Sequence, residues 1–321
     1  MIGWFGGVTE SGNLRRSQSD QYERRFCLVR ISWRRFELVM LFGTILAALV
    51  PSVSAQDTVV LMPEQSAAKA KQLIQQAIDA LGGSAYLNVR DMTCTGRASQ
   101  FGHSGELDGF ETFINYVEPP TMDRTENLPK RNIIDVYNGD KGWTLDRGGV
   151  AEAPITDLAR FQDNVRKDMF NILKNRIHED GMIFRYAGLD IVDLHEVDWV
   201  EMVDADDRTI RIAFARENHL PLRKVVQTRD PKTRNMTEEI ELFSNYHPIS
   251  GIQTPFQIER DRNGIKIYQI FFDKCDYNTG LPASLFTKES LDERWEKIGK
   301  GERAKEKKEE KKEAKASSSA N

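Results

Sequence analysis

The sequence predicts a mainly β (α+β) domain, a curved antiparallel sheet with an N-terminal helix and a mid-chain helical insert covering its concave face. Three observations carry this reading. Residues 63–81 repeat apolar side chains at helical spacing and stop at Gly82-Gly83. From Asp91 to about Asn278 the chain is a series of short alternating runs separated by tight-turn residues. Within that series only Ile155 to Ile177 returns to helical spacing. Parallel strands need a long crossover, usually a helix, at every step. One insert among many strands therefore indicates a meander.

The elements follow in order. Pro63 suits a first helical turn, and Ala70, Leu73, Ile74, Ala77, Ile78 and Leu81 share one face. Gly82 supplies the C-terminal cap, and residues 84–89 add one further turn. Met92 to Ala98 alternates as a strand, and Glu106 to Val117 is a longer one stopped by Pro119-Pro120. Thr121 to Asn127 and Asn132 to Tyr137 follow. Asn138-Gly139 turns the chain into a return arm carrying Trp143 and Leu145. In the insert, Leu158, Phe161, Val165, Met169, Ile172 and Leu173 recur at helical spacing, in one helix or two short ones. Strands then resume as 197-VDWVEMV-203, 208-RTIRIAFAR-216, Leu222 to Arg229, Thr237 to Tyr246, Ile252 to Arg260 and Ile265 to Cys275. Turns at 204-DADD-207, Pro231 and Asn263-Gly264 join them.

Both ends differ in character. Residues 38–50, LVMLFGTILAALV, form the only long apolar run; it is short for a membrane span, which needs about 20 residues. Arginines precede it, and Val53 and Ala55 occupy the small-residue positions of a signal-peptidase site. Residues 1–55 therefore read as a leader with a secretory signal cleaved after Ala55, and the mature protein as periplasmic. Its long n-region and the triplets 24-RRF-26 and 34-RRF-36 only partly match a twin-arginine signal. Residues 288–321 form a tail of dense mixed charge. Its charge spacing supports a solvated helix, and with few apolar residues it is expected not to pack before the disordered end SSSAN.

The net charge of −4 gives no basis for nucleic-acid binding. Export would place Cys94 and Cys275 in an oxidising compartment. They read equally as a disulfide or as two separate buried side chains. No HExxH, GxSxG or P-loop pattern is present, and the histidines are scattered. The richest polar cluster is 190-DIVDLHEVD-198, where His195 with Asp190, Asp193, Glu196 and Asp198 offers metal-ligand chemistry. Sequence-adjacent acids at a hairpin rim are far more often solvated turn residues. Asn235-Met236-Thr237 fits a glycosylation sequon, to which an exported bacterial protein gives no weight. The chain therefore reads as no enzyme, with no metal and no cofactor.

A curved sheet with a helix in its concavity encloses apolar space. Such space suits an acyl chain, each buried methylene contributing about 0.8 kcal/mol. The residues also carry a family resemblance. The stretch 77-AIDALGGSAYLNVRDMTCTGRA-98 resembles the start of the outer-membrane lipoprotein-sorting protein-like group, related to the periplasmic carrier LolA and its outer-membrane partner LolB. Similarity continues at 217-ENHLPLRKV-225 through Leu220, Pro221 and Arg223, and at 244-SNYHPISGIQTPFQIERDRNG-264 through Tyr246, Gly251 and Pro255. It closes at 275-CDYNTGLPASLF-286 through Asn278, Leu281 and Phe286. The resemblance spans nearly all of residues 64–287 and implies an incomplete barrel lined with apolar side chains. It also implies acyl chains of lipids or lipoproteins as partners, with inner- or outer-membrane proteins as donor and acceptor. The charged tail has no counterpart in the carriers, and no arginine here matches their gating residue.

The expected lining is Phe184, Trp199, Phe214, Leu242, Phe256 and Ile258, with Trp143 at a rim and Leu73, Ile74 and Ile78 on the inner face of the covering helix. The competing reading is an envelope scaffold that uses the same fold without a ligand.

Overall fold

The computed structural model describes residues 61–230 and 232–301. The leader, its cleavage site and residues 302–321 lie outside the described residues. Helix α1 spans Pro63–Leu81 and α2 Ser84–Leu87. Six strands follow: β1 Met92–Phe101, β2 Leu107–Glu118, β3 Met122–Leu128, β4 Ile134–Asn138, β5 Lys141–Asp146 and β6 Gly149–Glu152. The insert consists of α3 Ile155–Lys167, α4 Met169–Lys174 and a 3₁₀ turn, Arg176–His178. Seven more strands are β7 Ile183–Val192, β8 His195–Val203, β9 Thr209–Ala215, β10 Pro221–Arg229, β11 Met236–Ile249, β12 Ile252–Arg262 and β13 Ile265–Tyr277. A 3₁₀ turn, Ala283–Phe286, leads into helix α5, residues 288–301.

All the strands form one antiparallel, unclosed 13-stranded sheet in the order β6-β5-β4-β3-β2-β1-β13-β12-β11-β10-β9-β8-β7. Two meanders meet at the β1–β13 ladder, the only neighbours distant in sequence. Their free ends, β6 and β7, are the two outer edges, so the chain between them must cross the whole sheet. The insert is that crossing. Neither this route, nor β6, nor the bounds of β7 are legible in the sequence, because strand order is not written in local periodicity.

The expected face of α1 is the face the fold buries: Ala70, Leu73, Ile74, Ala77, Ile78 and Leu81. They pack on Phe184, Val200, Met202, Ile210, Ile212 and Phe214 of the concave face. Gly82 ends the helix at φ +129°, and a Cβ there would sit 2.5 Å from the Gly251 carbonyl oxygen. Backbone conformation and close approach both demand glycine.

The expectation of an unpacked tail fails for residues 288–301. Leu291 and Phe286 are fully buried against Ile134, Val136 and Leu145 on the convex face of β4 and β5, with Ile298 beside them. Arg124 donates to the Leu285 carbonyl at 2.9 Å and to Ser290 Oγ at 2.8 Å. Arg294 donates to the Lys130 and Arg131 carbonyls. A few apolar residues suffice because arginines satisfy the loop carbonyls around them.

Candidate functional site

The segments that carry the family resemblance lie far apart in sequence and converge at one end of the concave face. Gly82 abuts Gly251 across the β11–β12 turn. The Tyr246 hydroxyl donates to the Pro221 carbonyl at 2.6 Å. Asn278 Oδ1 accepts from the Arg90 amide at 2.7 Å, and Asp91 accepts from the amides of Thr279 and Gly280. These contacts pin α2, the start of β1 and the end of β13 together.

Beneath them is a cavity of about 90 Å³. Leu81, Tyr86 and Val89 wall it on one side, and Met169 and Phe170 of the insert on another. Its floor is sheet: Met92, Phe243, Ile252, Ile258, Phe272 and the Cys94–Cys275 pair. Those cysteines sit directly opposite on β1 and β13 and form a disulfide, which resolves the alternative left open by sequence. Tyr277 hydroxyl and Thr254 Oγ1 are 2.8 Å apart at the wall. Burial pushes the phenols of Tyr86, Tyr246 and Tyr277 above their ordinary range, so they stay protonated.

One wall is ionic. Glu241 faces the cavity and is paired by Lys224 on β10 and by Arg260 on β12, whose Nε lies 2.7 Å away. Burial alone would raise the Glu241 carboxyl; Arg260 and Lys224 outweigh it and hold the group well below the usual range. Arg260 also donates to Asn164 Oδ1 at 3.0 Å, and Lys167 bonds Glu239 at 2.9 Å. Asn164 and Lys167 belong to α3, so this row fastens the insert to the sheet. One turn earlier in the same helix, Phe161 stacks on Tyr137 with ring centroids 4.5 Å apart. The sheet there carries Glu111, Asp123 and Asp135. Burial raises the Glu111 and Asp123 carboxyls to about 7 and Asp135 well above its ordinary value.

Of the expected lining residues, Ile258 faces the cavity. Leu73, Ile74, Ile78, Phe184 and Phe214 lie together in the packed core under α1. Phe256 is partly buried against the sheet cluster that floors the cavity, edge-on to Phe272 and His247. Trp143 packs with the convex-face cluster under α5. Trp199 and Leu242 are on the face turned away from the cavity. Trp199 packs with Val192, Val197, Ala213 and Val225, and Leu242 alternates with the inward Glu241 and Phe243. In β11 the phase was misread because Glu239 and Glu241 look like solvent positions. They point inward because Lys167, Lys224 and Arg260 await them. Phe243, the aromatic on that inward phase, was thereby missed, as were Tyr86, Tyr246 and Tyr277.

The acids of the 190–198 cluster go to separate partners: Asp190 to Trp199, Asp198 to Tyr186 and Glu196 to Arg216. His195 Nδ1 lies 3.1 Å from Glu217. Among the described residues no three His, Cys, Asp or Glu side chains are placed to hold a metal ion.

No protein-family model matches the sequence, and no curated protein is found to be similar to it. Similarity appears among solved structures. A DUF1329 family protein from Desulfovibrio piger ATCC 29098 superposes with a TM-score of 0.50 at 15% identity, over 69% of this chain and 98% of that one. A candidate outer membrane lipoprotein-sorting protein domain from Vibrio parahaemolyticus superposes at 0.47, with 15% identity, over 70% of this chain and 99% of that one. The LolA superfamily protein NE2245 from Nitrosomonas europaea also superposes at 0.47, with 10% identity, over 69% and 99%. The fold, an open antiparallel sheet with α1 and the insert against one face, is thus shared with the Desulfovibrio piger protein.

Proposed function

We propose that the chain is a non-catalytic periplasmic carrier that takes the acyl chain of a lipid or lipoprotein between its helices and the concave face of its sheet. The observation that carries this is the apolar cavity at the point where the resemblance segments meet, floored by Met92, Phe243, Ile258 and Phe272. A disulfide among the described residues fits an oxidising compartment. At about 90 Å³ the cavity is smaller than the roughly 300–1,000 Å³ typical of ligand sites. A whole chain enters only when a cover moves. Lifting the insert withdraws Met169 and Phe170; lifting α1 opens the way to Leu73, Ile74, Ile78, Phe184 and Phe214. Donor and acceptor proteins of the inner or outer membrane belong to this reading, and neither a cofactor nor nucleic acid does.

The test is mass spectrometry of organic extracts from the purified mature protein. A carrier yields a reproducible stoichiometric lipid or acylated peptide, and its amount falls when Ile258→Asp or Phe243→Asp puts a charge on the floor. The small cavity favours a second reading, an envelope scaffold with a filled interior. Extracts free of lipid, together with no uptake of a fluorescent fatty acid, would establish that reading and remove the first.

A further inference from the structure

Strand β7 ends the sheet, and its two halves are finished differently. Over residues 183–187 the open edge is closed by α1. Ser66 Oγ accepts from the Tyr186 amide at 2.9 Å, Lys69 lies over the Tyr186 ring at 3.4 Å, and Phe184 is buried. A bulge follows at the register shift between Tyr186 and Gly188, where Gly188 has φ +98°. Beyond it no helix or strand among the described residues covers the strand, and the Ile191 amide is bonded only by its neighbour, Asp190 Oδ1, at 2.8 Å. The Glu196 carbonyl accepts from the Arg216 amide at 2.9 Å, so Glu196 is turned to β9. Its cross-strand partner Ile191 is therefore turned away from β8 to the open edge, and Leu189, two residues away, shares that phase.

Natural sheet edges are ordinarily blunted by charge, proline or a covering element. This half carries Leu189 at 63% exposure, Ile191 at 68% and, at the hairpin tip, Leu194 at 97%. Asp193 and Leu194 have φ +48° and +70°, conformations that hairpins give to glycine or asparagine. A leucine held left-handed and bare to water breaks two local rules at once, and such violations persist where function uses them.

Charge narrows the occupant. Five acids gather at this end, Asp190, Asp193, Glu196, Asp198 and Glu217, against three guanidiniums: Arg216 beside Glu196 and Asp198, and Arg211 and Arg223 near Asp190, so the acids outnumber the cations. An anionic surface is repelled. A second copy paired antiparallel across residues 188–192 would set Asp190 against Asp190, and like charges directly opposite are destabilising. We propose that residues 188–192 of β7, with Leu194 at the tip, form a docking edge for an extended polypeptide segment that is both apolar and basic and adds as a further strand.

The probe is a fluorescein-labelled, acetylated octapeptide of alternating valine and lysine, titrated into the full oxidised chain and followed by anisotropy. The expected result is saturable binding that weakens at least about tenfold in Leu189→Lys/Ile191→Lys and in Leu194→Asp. Binding should also weaken with salt, be absent for a valine–glutamate octapeptide, and slow exchange of the Leu189 amide in the wild-type protein. Leu194→Asp leaves the edge backbone intact, so it and the wild-type exchange measurement decide the matter if the double variant misfolds. Absence of saturation, undiminished binding in Leu194→Asp, or equal binding of the glutamate peptide overturns the proposal. So does binding of phosphatidylcholine vesicles through Leu194 without binding of the peptide, which assigns the tip to a membrane instead.

Discussion

Two covers lie on the same concave face; both share one apolar core, and one of them adds an ionic hold. Helix α1 is held by its apolar stripe, from Ala70 to Leu81. The insert enters the same core through Phe170, Ile172 and Leu173 of α4, and at α3 it is held in addition by ion pairs and hydrogen bonds: Lys167 to Glu239, Arg260 to Asn164, and Arg208 to Asp163 at 3.3 Å. An apolar contact is indifferent to pH and is strengthened by structure-making salts. A buried ionic contact depends on every partner staying charged and present. The difference marks α3, rather than α4 or α1, as the stretch of the covers whose hold a local chemical change can weaken.

The sharpest way to break this comparison is at Glu241, which serves both Lys224 and Arg260. Glu241→Gln leaves two buried cations without their carboxylate and is expected to destabilise by about 3–5 kcal/mol. Urea unfolding at pH 7 measures it. Adding Lys224→Met should recover part of the loss, since an unpaired cation is removed. If the single variant costs no more than a surface substitution, the ionic row is not what holds α3. The acid limb adds a signature. The folded-state carboxyl of Glu241 is depressed, so its stabilisation is present above the unfolded value and lost as pH falls toward the folded one.

The matching change in the other cover is Ile74→Ala, where Ile74 is 3% exposed. It is expected to cost about 3 kcal/mol through lost burial and a residual cavity. Unlike Glu241→Gln, whose cost shrinks on the acid side, the cost should be the same at pH 3 and pH 7. A pH-dependent cost would mean that α1 is coupled to the ionic row and that the two covers move as one.

The difference between the covers also explains what could be read in advance. The stripe of α1 is written in consecutive turns, so its buried face was legible residue by residue. The disulfide was half legible: the compartment suggested it, while the separation of Cys94 from Cys275 depends on a β1–β13 ladder that no local pattern announces. The insert's apolar face, Phe161, Ile172 and Leu173, was legible in the same way; its ionic attachments were not. Lys167, Asn164, Glu239 and Glu241 each look like solvent residues, and their meaning appears only when β10, β11 and β12 bring their partners alongside. Leu242 and Trp199 were assigned to the lining because burial was inferred from hydrophobicity alone, on a sheet where the inward phase is partly charged.

A smaller effect separates two stretches of sheet near α3. Beside the Tyr137–Phe161 stack the sheet carries Glu111, Asp123 and Asp135, whose carboxyls are raised by burial. For a raised carboxyl the protonated form is favoured by folding. That stability is fully present below the unfolded value near 4 and is lost as pH rises through about 7 for Glu111 and Asp123. The ionic row thus weakens on the acid side and the carboxyl patch on the neutral side. Asp123→Asn should flatten the decline between pH 4 and pH 7 by on the order of 2 kcal/mol, read from urea midpoints across that range. A profile unchanged by the variant would place the proton elsewhere.

The smallest effect has the opposite sign and extends the comparison to β7, half covered by α1 and half bare. The covered half obeys the rules for an edge; the bare half ends on Leu194 at φ +70° and 97% exposure. Leucine in the left-handed region pays roughly 1–2 kcal/mol relative to glycine, partly offset by the extra freedom glycine brings to the unfolded chain. Its side chain has little burial to lose. Leu194→Gly should therefore stabilise the protein by about 0.5–1 kcal/mol, a rise of a few degrees in melting temperature. If the variant is instead destabilised, Leu194 makes a contact within its own chain and the bare half of β7 is not bare. If it is stabilised, that stability is forgone at a position where glycine fits better, which is the pattern expected when a side chain is kept for something outside the fold.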